Sequence, residues 1–171
     1  MAIGYSAYEL QETEICISAW IKAADAGDGE AMFNLGVLLK ERGELGEAES
    51  WWRRAAEAGE SGAMFNLAAL LQTTNRLVEA ESLMRRVVEI FEKSLPGNDS
   101  NLATALNNLA QLLQDTHRLK EAEPLMRRAL AIDEQSYGLD HPKVATDLNN
   151  LAQLLQDTDR LKEAEPLMRR A

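Results

Sequence analysis

Apolar residues return along most of this chain at three- and four-residue intervals, the spacing that gathers them on one stripe of an α-helix. Met32, Leu35 and Leu39 recur at i, i+3 and i+7, and Leu45, Ala48, Trp52 and Ala55 follow the same rhythm. Short polar turns separate such stretches: Arg42-Gly-Glu44, Thr74-Asn-Arg76, Thr116-His-Arg118 and Thr158-Asp-Arg160. Gly43 and Asn75 suit the left-handed backbone that ends a helix, and Asp159 is an expected cap for the helix after it. The pattern predicts about nine helices, near 6–26, 30–42, 45–58, 62–73, 77–93, 102–114, 118–135, 142–156 and 160–171. Valine and isoleucine nowhere alternate with polar residues over a strand length, so the expected class is all-α.

The helices come in repeating pairs. Residues 103–129 and 145–171 differ at only two of 27 places, Ala105/Asp147 and His117/Asp159, at an offset of 42. Upstream, Ala63-Met-Phe-Asn-Leu matches Ala31-Met-Phe-Asn-Leu at an offset of 32, and aligning Asn66 on Asn108 joins the two halves. Fixed-period self-similarity is the mark of a solenoid, in which each unit buries its apolar face only against its neighbours. One domain over 1–171 is expected: an N-terminal helix or cap (1–28), unit 1 (29–60), unit 2 (61–102), unit 3 (103–144) and a shortened unit 4 (145–171).

Small residues hold fixed places in these units. Gly36, Ala68, Ala110 and Ala152 sit mid-first-helix; Ala48, Ala80, Ala122 and Ala164 sit early in the second, with Cys16 in the same column. The arrangement resembles the tetratricopeptide repeat, where small side chains let paired helices approach. Units 3 and 4, with Leu-Asn-Asn-Leu-Ala, Glu-Ala-Glu-Pro-Leu and the connector Tyr137-Gly-Leu-Asp-His-Pro-Lys-Val-Ala145, are more narrowly similar to the 42-residue repeats of kinesin light chains. The connector at Leu95 departs from that pattern in lacking His-Pro. The resemblance implies a right-handed antiparallel α-solenoid whose first helices line a concave face, and a non-catalytic scaffold for protein partners.

Charge narrows the partners. The chain carries 18 basic and 28 acidic residues, a formal net charge of −10, which argues against nucleic acid, whose phosphates require a basic face. No apolar run is long enough to span a bilayer, no secretory leader is evident, and a cytoplasmic location is expected. One cysteine allows no internal disulfide.

Candidate chemistry is sparse. No nucleophile or acid stands beside His117 or His141 in a catalytic spacing. Asp115, His117, Asp157 and Asp159 occupy matching turns, but ligands a whole repeat apart rarely converge to metal-bond distance; neither metal nor cofactor is expected. The pairs Arg53-Arg54, Arg85-Arg86, Arg127-Arg128 and Arg169-Arg170 each follow a Glu (49, 81, 123, 165) placed four residues before the first Arg, so a neutralised outer face is expected. Trp20 and Trp52 share the packing column of Met84, Met126 and Met168.

The column Asn34, Asn66, Asn108 and Asn150 is the main binding candidate. A carboxamide both donates and accepts, and a row of them can hold the backbone of an extended peptide; bracing of neighbouring helices is the competing role. Phe33 and Phe65 flank the column in units 1 and 2, replaced by Asn107 and Asn149 in units 3 and 4, and Val37 and Ala69 give way to Gln111 and Gln153. Lys40 is the single basic residue placed on this groove, so no clamp for a terminal carboxylate is expected. Glu41, Asp115 and Asp157 favour a neutral or basic ligand. Leu161, Leu167 and Met168 keep the interior apolar pattern to the end of the sequence, which predicts an exposed patch and self-association into a dimer or filament as an alternative role.

Overall fold

A computed structural model describes residues 17–94 and 99–171. Every regular element among them is helical: α1 (described over 17–25), α2 (Gly29–Glu41), α3 (Leu45–Glu57), α4 (Ser61–Thr73), α5 (Leu77–Ser94), α6 (Ser100–Asp115), α7 (Leu119–Tyr137), α8 (Pro142–Asp157) and α9 (Leu161–Met168). Cys16, the start of the N-terminal cap and Leu95 to Asn98 of the first long connector lie outside the described residues. Two compact units divide within α4, after Leu70.

The turns inside each pair obey one rule. Gly43, Asn75, His117 and Asp159 all adopt left-handed backbone, with φ of 81°, 60°, 58° and 58°. That conformation reverses the chain within three residues, and Gly, Asn and Asp tolerate it best. Asp159 therefore does not cap α9 as expected. It occupies the left-handed turn position, and Arg160 takes the N-cap place with no side-chain capping bond. Side-chain caps occur instead at joints between pairs: Asp28 accepts from Ala31 N (3.0 Å), Asp99 from Asn101 N (2.7 Å), and His141 Nδ1 from Lys143 N (3.2 Å), ahead of Pro142.

Three boundaries move by two residues or more, and α6 begins at Ser100, two residues before its expected start. α7 runs two residues beyond the expected end to Tyr137, where Gly138 (φ 86°) stops it. α9 ends at Met168, and its last turn tightens as Arg170 N donates to Leu167 O (3.1 Å). Pro124 and Pro166 lie within continuous helix.

In the first unit α2 packs on α3 around Trp52, which is fully buried. Its indole Nε1 donates to Phe33 O (3.2 Å), and the ring lies so close to α2 that a Cβ on Gly36 would stand 2.4 Å from two of its atoms. In the second unit α5, α6, α7, α8 and α9 pack in succession. Leu106, Leu113, Met126, Leu148 and Leu154 are among its fully buried side chains. Ala48, Ala80, Ala122 and Ala164 have no exposed surface at all, as a small-residue column at helix contacts requires. Met126 is 1% exposed, whereas Met168, its counterpart in the last helix, is 44% exposed. Leu161 is also exposed and Leu167 half-buried.

Candidate binding clefts

The second unit presents two clefts along α6 and α8. On α8, Lys143, Thr146, Asp147, Asn150, Gln153 and Asp157 follow helical spacing down one stripe; on α6, Thr104, Asn107, Asn108, Gln111, Gln114 and Asp115 do the same. The larger cleft, about 530 Å³, is lined by Gln111, Gln114, Asp115, His117, Leu119, Asn150, Gln153 and Asp157. The smaller, about 230 Å³, is lined by Thr104, Asn107, Asn108, Asp133, Lys143, Thr146, Asp147 and Asn150. Asn150 lines both.

Five of the candidate residues thus come together: Asn107, Asn108 and Asn150 in the small cleft, Gln111, Asn150 and Gln153 in the large one. Asn149 is exposed and lines neither. Phe33, Asn34, Phe65 and Asn66 belong to the first unit, where all four are half-buried. Phe33 has a packing task there, its ring lying against the backbone of Gly62.

The polar lining is partly committed. Gln111 Nε2 donates to Asp115 Oδ1 (3.1 Å), Gln153 Nε2 to Asp157 Oδ1 (2.9 Å), and Gln72 Nε2 to the second oxygen of Asp115 (2.6 Å). The small cleft is the more unusual. Asp147 is 3% exposed and Asp133 2% exposed, yet among the described residues the single side-chain donor to either is Asn107 Nδ2, bonded to Asp147 Oδ1 at 2.6 Å. Asn107 Oδ1, Asp133 Oδ1 and Asp147 Oδ2 are buried with no hydrogen-bond partner among the described residues. Burial pushes the Asp147 carboxyl up to about 6, against the pull of the Asn107 hydrogen bond, and also raises that of Asp133. Lys143 sits on the lining but is held elsewhere: its Nζ is 3.3 Å from Tyr137 Oη and 5.1 Å from the centre of that ring.

Asp133 and Asp147 were not among the candidates from sequence. The available signal was the substitution of Asp147 for Ala105 between two otherwise matching units. No group of three or more His, Cys, Asp or Glu suited to a metal occurs among the described residues, so Asp115, His117, Asp157 and Asp159 are not brought together as ligands. No described helix is long and apolar enough to cross a membrane.

The outer faces of α5, α7 and α9 carry the expected pairs: Arg85–Glu81 (2.8 Å), Arg127–Glu123 (2.8 Å) and Arg169–Glu165, matched by Arg53–Glu49 (2.6 Å) on α3. A second set was not foreseen. Arg118 reaches back to Glu81 (2.7 Å) while holding Glu121 (2.6 Å), and Arg160 repeats the motif with Glu123 and Glu163 (2.6 Å each). Trp51 is covered by Arg54, whose guanidinium lies 4.3 Å from the ring centre.

The family profile described as tetratricopeptide repeat matches residues 1–63, 60–135 and 101–171. No curated protein sequence matches the chain. Among solved structures, the nearly identical TPR-like repeats of a Podosopora anserina protein assigned as a kinesin light chain superpose with a TM-score of 0.74 at 20% identity, covering 95% of this chain and 85% of that one. BtubC (BKLC) from P. vanneervenii gives 0.73 at 21% identity, covering 96% and 73%. MamA from Desulfovibrio magneticus RS-1 gives 0.66 at 14% identity, covering 90% and 89%. At these identities the likeness is one of fold.

Proposed function

Since the chain belongs to the tetratricopeptide repeat family, whose solenoids serve in general as protein-interaction scaffolds, we propose that it is a non-catalytic scaffold holding an extended partner segment along α6 and α8. The observation that carries this reading is the shared lining of the two clefts: Asn150 belongs to both, with Asn108 and Asn107 on one side and Gln111 and Gln153 on the other. Carboxamides spaced along two neighbouring helices can bond the alternating N–H and C=O groups of an extended backbone whatever its side chains. Asp115, Asp133, Asp147 and Asp157 lie on these walls against a single Lys143, so a neutral or basic segment is favoured over an acidic one.

The test is a fluorescence titration of basic, neutral and acidic peptides against the parent and the double variant Asn108→Ala, Asn150→Ala. Loss of binding with unchanged circular dichroism supports the reading. Binding that survives in the double variant, or that disappears only as helicity does, returns the asparagines to a structural role. The alternative of self-association through α9 is favoured by one observation, the exposure of Met168 and Leu161. Sedimentation velocity over a concentration series, comparing the parent with Leu167→Glu, Met168→Glu, decides it: equal monomeric behaviour removes that alternative.

A further inference from the structure

We infer that the cleft walled by Asn107, Asp133 and Asp147 is a subsite for one primary ammonium group, the end of a lysine side chain on the bound segment. The binding chemistry stands on the cleft alone; that a peptide delivers the lysine rests on the reading above.

A carboxylate almost never fills a core column without a counter-charge or several donors. Asp147 stands in the column of Ala31, Ala63 and Ala105, all buried, and Asp133 stands where the preceding unit has Phe91. The column therefore accepts a methyl group without strain, and the fold does not need the acid. Two facing positions have nonetheless become acidic, on α7 and α8, beside an amide on α6.

The donors fall short. Asn107 Nδ2 satisfies one oxygen of Asp147, leaving Asp147 Oδ2, Asp133 Oδ1 and Asn107 Oδ1 as buried acceptors on three different helices. The charged groups facing them are few: Lys143 favours ionisation of both acids and His141 that of Asp133, while Asp133 and Glu134 oppose ionisation of Asp147. Lys143, the basic residue on the lining, donates to Tyr137 and shows no hydrogen bond to either carboxylate. Three separate acceptors from three helices suit the three N–H bonds of an ammonium. A guanidinium prefers two free oxygens of one carboxylate; of the two acids only Asp133 has both, and pairing with it would leave Asp147 Oδ2 and Asn107 Oδ1 unmatched. The volume, about 230 Å³, takes one side chain.

The experiment uses the whole chain, isotopically labelled, titrated by NMR with Nα-acetyl-lysine methylamide. The norleucine analogue, which lacks the ammonium, the arginine analogue and calcium serve as comparisons. We expect the lysine compound to shift the amides of Asn107, Asp133 and Asp147 saturably, with at least tenfold weaker binding at pH 5 than at pH 7.5. Asp147→Ala should lower affinity at least tenfold while its melting curve stays cooperative, since the preceding unit folds with Ala105 there. Asp133→Asn, nearly isosteric, should weaken binding as well. Equal shifts from norleucine, unchanged affinity in Asp147→Ala, or tighter binding of arginine or calcium would overturn the assignment. The two readings separate cleanly. If lysine amide titrates but no peptide binds, the subsite stands and the groove reading falls. If peptides bind but replacing their lysines by norleucine changes nothing, the groove stands and the subsite falls.

Discussion

Two residues show how strongly a single position is constrained by what faces it. Gly36 exists because Trp52 lies where its side chain would be; units with Ala at that place, such as Ala110, have Met126 in the tryptophan column. Replacing Gly36 by Ala gains about 1 kcal/mol of helix propensity but forces the indole aside, and overpacking typically costs about 1–3 kcal/mol. We expect net destabilisation and a red-shifted tryptophan emission from loss of the Phe33 hydrogen bond; an unchanged spectrum and midpoint would refute the packing described. Asp147 is the opposite case, a residue less stable in its place than the alanine it stands for. Its folded-state pKa, about 6, lies above the ordinary 3.8, so the folded chain holds the proton more tightly than the unfolded one. Stability is then greatest below the unfolded value and falls as pH rises to the folded value, by roughly 2–3 kcal/mol for this group. The urea midpoint of Asp147→Ala should match the parent near pH 4 and exceed it at pH 7.5. A pH-independent difference would contradict the burial of this carboxylate. How these residues were legible differs. The alanine columns and the left-handed turns at Gly43 and Asn75 could be read at once, because a repeat displays each requirement several times, whereas Asp159 in the matching turn was expected as a cap. The meeting of Asn107, Asp133 and Asp147 could not, because it occurs once and joins three helices through a 42-residue offset and a connector. The mismatch of Asp147 with Ala105 was the visible trace.

Among the helices, pairing rests on close approach and on ion pairs with different strengths. Ala122 is fully buried early in α7, and Ala122→Arg combines overpacking with an unpaired buried charge. A loss of roughly 3 kcal/mol or more is expected, seen as a large drop in melting temperature; a variant melting with its parent would mean that the helix pairing is wrong. Glu123 binds Arg127 on its own helix and Arg160 in the turn before α9, and the Arg160 hydrogen bond holds its carboxyl below the ordinary range. Stability from such a group is present above its unfolded pKa and is lost as pH falls through the folded one. Glu123→Gln should cost about 1 kcal/mol or less in dilute buffer and nearly nothing in 1 M salt, and the cost should shrink as the pH falls below the ordinary carboxylate range. A cost that persisted in salt and acid would point to packing instead. The four-residue pairs could be seen in the sequence because helix geometry fixes them. The reach of Arg118 to Glu81 and of Arg160 to Glu123 depends on the register between successive pairs, which periodicity alone leaves open.

For the whole chain, the excess of ten acidic charges acts in one direction on any basic ligand. Binding of a lysine-bearing peptide should weaken steadily between 50 mM and 500 mM salt, mostly through a slower association rate, and a salt-independent affinity would argue that contacts in the clefts are essentially neutral. The all-α class could be read from the helical periodicity, and the repeat from offsets of 32 and 42, before any coordinates. The location of a binding surface could be read only as a column of asparagines, because clefts arise from two helices together and not from either one.

The Ala105/Asp147 pair has an evolutionary meaning as well. Two of the four alanine codons lie one base from an aspartate codon, so a duplicated unit can exchange a methyl for a carboxylate in a single step while its twin keeps the original. Each such column is then an address that point mutation rewrites without redesigning the array. Phe91 stands in the preceding unit where Asp133 stands in the next, so an acid at position 105 would lack that acidic counterpart. A chain assembled from near copies can in this way acquire distinct sockets one codon at a time, with its unaltered copies preserving the fold while the altered ones diverge.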